Sequence, residues 1–154
     1  MSVVTIRDVA PGDKTAWLTL WGGYCDFYRA EIPPAVTEAS WKRLVDPRSD
    51  FVGRVAELEG EIVGFVLLVI HPCSWTIAPV CYLEDLYVAP KARGLSVGRA
   101  LIEDVLSLAR QNAWARVYWH TEADNAAARR LYDRFGKADG FVRYQLRLDD
   151  ASSA

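Results

Sequence analysis

The sequence is poor in the features that mark a secreted, metal-binding or nucleic-acid-binding protein. Its three cysteines, Cys25, Cys73 and Cys81, are an odd number without a CxxC spacing. That argues against both a disulfide framework and a zinc site. Histidine occurs only at His71 and His120, which form no ligand pattern with the thiols, so no metal is expected. No Lys/Arg block interrupts the chain, and a formal net charge of −2 lacks the basic face that a nucleic-acid partner needs. The longest apolar run, Ile62 to Ile70, is broken by Gly64 and is too short to span a bilayer. Residues 1–9 carry Arg7 and Asp8 and lack the basic-then-apolar order of a secretion signal. The expectation is a cytoplasmic protein that engages neither nucleic acid nor membrane.

What the chain does have is aromatic bulk. Six Trp, seven Tyr and five Phe in 154 residues are a generous stock for one core. With 51% hydrophobic and 25% charged residues, a single globular domain over 1–154 is expected, residues 149–154 forming a polar tail.

Periodicity and turn signals divide the chain further. Val3–Val9 reads as a strand stopped by Pro11-Gly12. Asp13 is placed to cap a helix bearing Trp17, Leu20, Trp21, Tyr24 and Tyr28 at helical spacing, with Gly22-Gly23 as a weak point. Past Pro33-Pro34, Thr37 is placed to cap a shorter helix with Trp41, Leu44 and Val45. Phe51–Leu58 and Ile62–Ile70 read as a hairpin around Glu59-Gly60-Glu61, and Val80–Val88 as a third β-rich run. Gly98–Gln111 carries an apolar helical stripe of Leu101, Val105, Leu108 and Ala109. Arg116–Thr121 reads as a strand, Asn125–Phe135 as a helix and Gly140–Leu148 as a last strand. The order β-α-α-β-β-β-α-β-α-β predicts an α/β (α+β) fold with a mixed, mostly antiparallel sheet flanked by helices.

Between the third run and its following helix lies Arg93-Gly94-Leu95-Ser96-Val97-Gly98. Small residues at 94, 96 and 98 let backbone N–H groups approach a ligand at the positive end of a helix dipole, which suits a diphosphate. Arg93 and Arg99 can add charge-assisted bonds. A plain glycine turn is the other reading of this segment taken alone. The P-loop is excluded because no Gly-Lys-Ser/Thr occurs, and a Rossmann turn is out of place after a hairpin series.

Together, Leu83-Glu84-Asp85-Leu86-Tyr87-Val88-Ala89-Pro90, the turn from Arg93 to Arg99, Asn125-x-x-Ala128-x-x-Leu131-Tyr132 and Gly140-Phe141-Val142 resemble the GNAT acetyltransferase superfamily. Within it, the pattern resembles small spermidine/spermine-type and histone-acetyltransferase-like members. The resemblance implies an N-acetyltransferase that moves acetyl from acetyl-CoA directly to a primary amine, either a small amine, polyamine or amino acid, or a lysine of a peptide or histone. It implies coenzyme A on the main chain of Leu86, Tyr87 and Val88 and on Arg93, Gly94, Leu95, Ser96, Val97, Gly98 and Arg99, with Asn125 and Ala128 along its arm. Glu84 becomes the base, Tyr132 the general acid, and Asp85 the attractor of a cationic acceptor. The helix bearing Tyr24 and Tyr28 borders the acceptor pocket, where aromatic rings suit a cationic amine. Small members form dimers, so a homodimer is implied, with Phe141 and Tyr144 pairing across chains.

The chemistry fits these residue types. An amine near pKa 10.4 costs about 4–5 kcal/mol to deprotonate at pH 7, which a carboxylate base offsets. A phenol can protonate a departing thiolate. In a regular strand Glu84 and Asp85 point to opposite faces, so one faces the site. The turn departs from the family pattern at Ser96, where a glycine is usual. A helical or extended backbone is expected there, since a positive φ would cost serine about 1–2 kcal/mol. A non-catalytic acyl-CoA-binding module is the alternative, with Ser96 its only support.

Overall fold

The computed structural model describes residues 3–148, so the expected tail at 149–154 lies outside the described residues. The chain divides into two compact units, Met1–His120 and Thr121–Ala154. The first holds a five-stranded sheet of β1 (Val4–Asp8), β2 (Phe51–Leu58), β3 (Glu61–His71), β4 (Val80–Val88) and β5 (Val117–Tyr118), in that spatial order. Neighbours run antiparallel except β4 and β5, which are parallel. Local chemistry explains the switch. Glu59 and Gly60 both take positive φ, 54° and 79°, which gives the tight primed turn that joins β2 to β3. Parallel pairing of β4 with β5 needs a crossover, supplied by α3 (Val97–Gln111).

The sheet is buried on both faces. Val66 and Leu68 of β3 pack with Leu83, Val97, Leu101 and Val105 on the α3 side. Phe65 and Leu67, one residue out of phase, pack with Trp17, Leu20, Trp41 and Leu44 of α1 (Lys14–Phe27) and α2 (Pro34–Val45). That double burial is why Ile62–Ile70 reads as an unbroken apolar run rather than an alternating one. Each fully buried Leu, Val or Phe contributes about 1.5–3 kcal/mol of transfer free energy.

Two expected caps work differently. Thr37 lies inside α2, which begins at Pro34, and its Oγ1 accepts from Trp21 Nε1 at 3.1 Å, tying α2 to α1. The prolines start the helix because an N–H is superfluous in a first turn. Asp13 stands at the start of α1, but its carboxylate turns back to Ala10 N–H and to Arg7. That ion pair holds the Asp13 carboxyl below the usual carboxylate range. α1 runs unbroken through Gly22-Gly23.

The second unit contains α4 (Ala126–Tyr132), with Asn125 as its cap accepting from Ala128 N–H at 3.3 Å. The segment 140–148, expected as a last strand, joins no ladder among the described residues. Its alternating Val142, Tyr144, Leu146 and Leu148 stay exposed, as does Phe141. Alternation alone does not make a strand without a partner edge.

Candidate active site

The turn from Arg93 to Gly98 joins a short 3-10 turn after β4 to α3. Gly94 takes φ +81°, and a β-carbon built there would meet open space. Ser96 does not take the expected helical or extended backbone. It sits in the left-handed region at φ 63° and ψ 20°, as the residue that starts α3. A glycine suits this geometry, and serine there carries a strain of about 1–2 kcal/mol. Its carbonyl is used, accepting from Ala100 N–H at 3.0 Å. The N–H groups of Val97, Gly98 and Arg99 therefore fall in the first helical turn, where no i−4 carbonyl serves them.

The side chains around this turn are partly committed to the fold. Arg93 Nε donates to the Val88 carbonyl at 3.1 Å, and its guanidinium lies 5.5 Å from the centroid of the Tyr87 ring. Arg99 pairs with Glu103 at 2.8 Å. Val97 is buried and anchors the helix, whereas Leu95 is exposed. What the turn presents is chiefly backbone.

β4 pairs with β3 along its length but with β5 only at Cys81–Val117 and Tyr82–Tyr118. Beyond Tyr82, the β5-side edge of β4, including Leu86, Tyr87 and Val88, has no strand partner among the described residues. An extended amide-bearing ligand can add to such an edge. The open edge, the roomy turn and the α3 amides together fit the diphosphate and amide arm of coenzyme A.

A bulge alters the expected geometry of the acids. Leu83 lies opposite Leu68 and Asp85 opposite Leu67, so Glu84 is the extra residue on β4. The bulge breaks the regular alternation of β4, because it shifts the faces that follow it. Leu83 packs in the core on the α3 side, yet Asp85 faces α1, where the Tyr24 hydroxyl donates to its carboxylate. Glu84 is exposed, and its charge acts on both Asp85 and Tyr24. Burial pushes the Asp85 carboxyl up to about 6, opposed by the Tyr24 hydrogen bond and reinforced by Glu84. Burial also pushes the Tyr24 phenol up, and the Asp85 charge adds to it.

Tyr24 is held by rings on several sides. Trp21 stacks on it at 5.3 Å, Tyr28 approaches to 4.9 Å, and Phe65 and Tyr87 meet it edge-on at 6.2 Å. Tyr28 closes α1 and is more exposed, at 41%. The structure thus brings Glu84, Asp85, Tyr24 and Tyr28 together. Asn125, Ala128 and Tyr132 belong to the second unit, where Tyr132 ends α4 and Asn125 caps it.

Sequence reasoning missed a row of side chains where β4 and β5 part. Tyr118 Oη meets His71 Nε2 at 2.7 Å, and Tyr82 Oη meets His120 Nδ1 at 3.0 Å. His71 Nδ1 lies 2.8 Å from the Pro72 carbonyl, to which it can only donate. The Tyr82 and Tyr118 rings lie 4.9 Å apart. The rows span 38 and 47 residues of sequence, beyond the reach of any local pattern. A groove of about 570 Å³ between α1 and α2, with Trp21, Asp26, Glu31 and Glu38 on its walls, was also missed. Among the described residues, no three His, Cys, Asp or Glu side chains gather as a metal site, and no helix is long and apolar enough to cross a membrane.

Comparison with known proteins agrees with this fold. The model of the Acetyltransferase (GNAT) family matches residues 17–137. The D-amino-acid N-acetyltransferase of Saccharomyces cerevisiae is 35% identical over 144 residues, covering 92% of this chain and 89% of that protein. The crystal structure of a ribosomal-protein-alanine N-acetyltransferase from Brucella melitensis superposes with a TM-score of 0.80 at 22% identity, over 95% of this chain and 100% of the other. An aminoglycoside acetyltransferase, AAC(6')-Iy in complex with a bisubstrate analogue of coenzyme A, shares the fold at TM-score 0.80 and 18% identity, over 96% and 100% of the two chains. The chain belongs to the GNAT acetyltransferase family and is an acetyl-CoA-dependent N-acetyltransferase.

Proposed function

We propose that the enzyme acetylates a small cationic primary amine, with Glu84 and Asp85 as the groups that draw in and deprotonate it. The observation that carries this reading is the bulge on β4, which turns Asp85 toward Tyr24 on α1 and leaves its neighbour Glu84 exposed. Acids flanked by aromatic faces favour an ammonium over a neutral or anionic acceptor.

Bound acetyl-CoA supplies the acetyl group as an activated thioester. The main chain of Leu86, Tyr87 and Val88 would hold its amide arm, and the backbone from Arg93 to Arg99 its diphosphate, with Asn125 and Ala128 beside the arm. Glu84 takes the proton of the incoming ammonium, directly or through water, and so lowers the barrier to a deprotonation that costs about 4–5 kcal/mol at pH 7. Asp85 holds negative charge behind it. Tyr132 donates a proton to the leaving sulfur. In the same reading the chain is one domain, works as a homodimer, and resides in a reducing cytoplasm that keeps Cys25, Cys73 and Cys81 as free thiols.

The similarity to a D-amino-acid acetyltransferase puts amino acids beside polyamines at the head of an acceptor screen. Thiol release from acetyl-CoA is measured over amino acids of both hands, polyamines, aminoglycosides and histone peptides. Turnover with a small amine is the expected result. Turnover confined to peptides would replace the acceptor class, and tight acetyl-CoA binding without any turnover would leave a binding module.

A further inference from the structure

The least conventional feature of the site is a carboxylate packed against a helix of aromatic residues. Asp85 is half-buried between β4 and α1, and burial alone would favour its neutral form. One hydroxyl opposes that. Tyr24 donates to it from α1, and the Tyr24 ring is fixed by Trp21, Tyr28, Phe65 and Tyr87. Tyr87 Oη lies 2.5 Å from where a β-carbon of Gly23 would sit, so α1 and β4 approach closely beside Tyr24.

We propose that Tyr24 is a positioning residue for the acidic pair, its hydroxyl donating to the Asp85 carboxylate and aiming it so that the pair takes up the acceptor's proton at Glu84. This rests on the amine-acetylating reading given above. The step is a simple transfer: the ammonium loses one proton, the carboxylate pair gains it, and a neutral amine remains.

The groups that face Asp85 define its titration. From α1 come Tyr24, Cys25 and Tyr28, whose charges couple to it directly or through Tyr24. From β4 come Glu84 and Tyr87, and the Arg93 guanidinium lies 5.5 Å from the Tyr87 ring. β3 presents the apolar Phe65 and Leu67. On β5, Tyr118 feels the charge of Glu84. The neighbouring Glu84 charge also works against ionisation of Asp85, so the two carboxylates are coupled. Losing the Tyr24 hydroxyl removes the hydrogen bond that favours ionisation, so Asp85 holds its proton to higher pH.

The test follows the side-chain carboxyl signals of the ligand-free protein by carbon-13 NMR across pH, in wild type, Tyr24→Phe and Trp21→Phe. Tyr24→Phe should raise the Asp85 midpoint by roughly half a pH unit or more. Trp21→Phe, which keeps the hydroxyl, should leave it in place. If Tyr24→Phe does not fold, Asp85→Asn gives the reciprocal readout: the Tyr24 phenol should ionise at lower pH than in wild type. With an acceptor from the screen, the acidic limb of kcat/KM should rise in Tyr24→Phe while KM for acetyl-CoA holds. An unmoved Asp85 midpoint, an unmoved Tyr24 phenol in Asp85→Asn, or an unmoved acidic limb overturns the proposal while amine acetylation stands. A panel with no acetylated amine overturns the functional reading on which it rests.

Discussion

The Tyr87 hydroxyl sits 2.5 Å from the place a β-carbon on Gly23 would occupy, so the second glycine of α1 is a seat for a tyrosine of β4. Its neighbour Gly22 has nothing within 4 Å of the same construction. The two glycines should therefore respond oppositely to alanine. Gly22→Ala should stabilise by about 0.5–1 kcal/mol, because glycine is a poor helix former and nothing is displaced. Gly23→Ala should lose about 1–3 kcal/mol by overpacking and shift the ring that bears on Tyr24. Urea denaturation of both variants decides this, and equal signs would show that the contact is not maintained.

Removing the exposed acid at the bulge tests the base. Glu84→Gln should lower kcat/KM about 100-fold or more at pH 7. The deficit should shrink as pH climbs toward the amine's own pKa, where the acceptor arrives already neutral. KM for acetyl-CoA should change little. A pH–rate profile of unchanged shape would remove Glu84 from the proton transfer.

Asp85 should make the protein trade stability for function. Its folded-state value of about 6 lies above the ordinary 3.8, so its contribution is fully favourable below about pH 4 and is lost as pH rises through about 6. Asp85→Asn removes the buried charge and still accepts from Tyr24. The variant should gain on wild type between pH 4 and 8, by up to about 3 kcal/mol at the upper end. Melting curves at both pH values measure the difference. A gap that stays constant with pH would show that Asp85 does not titrate in this range.

The strained serine gives another test. Ser96→Gly should relieve about 1–2 kcal/mol of left-handed strain, partly offset by glycine's greater freedom in the unfolded chain. Acetyl-CoA affinity should be held or improved. Ser96→Val should fail on both counts, since a β-branched residue resists positive φ. Thermal melting and calorimetry with acetyl-CoA read both effects.

Much of this was legible in the sequence because its signals are local. Val80–Val88 was read with the bounds it has, since β-rich residues run up to Pro90. The phosphate turn was legible because glycine, serine and a helical stripe follow one another. The Ser96 backbone was misjudged because a propensity argument chose the cheaper conformation, whereas the turn into α3 imposes the dearer one. The bulge had an available signal: Cys81 and Leu83 keep period two, but Leu86 and Val88 resume after a gap of three, so the apolar phase slips at Glu84-Asp85. Thr37 looked like a cap from its type, while its hydroxyl is claimed by Trp21 from another helix. The Tyr82–His120 and Tyr118–His71 pairs depend on strand register, which no window of sequence contains.

The central claim is that a cationic primary amine is acetylated at the acidic pair on β4. It is tested most directly by initial rates of acetyl-CoA thiol release with one accepted amine, compared among wild type, Glu84→Gln, Asp85→Asn and the double variant. The account predicts that each single variant loses turnover, Glu84→Gln the more, and that the double variant loses less than the product of the two because the acids act as one unit. Full activity in the double variant would place the proton transfer elsewhere and contradict the account.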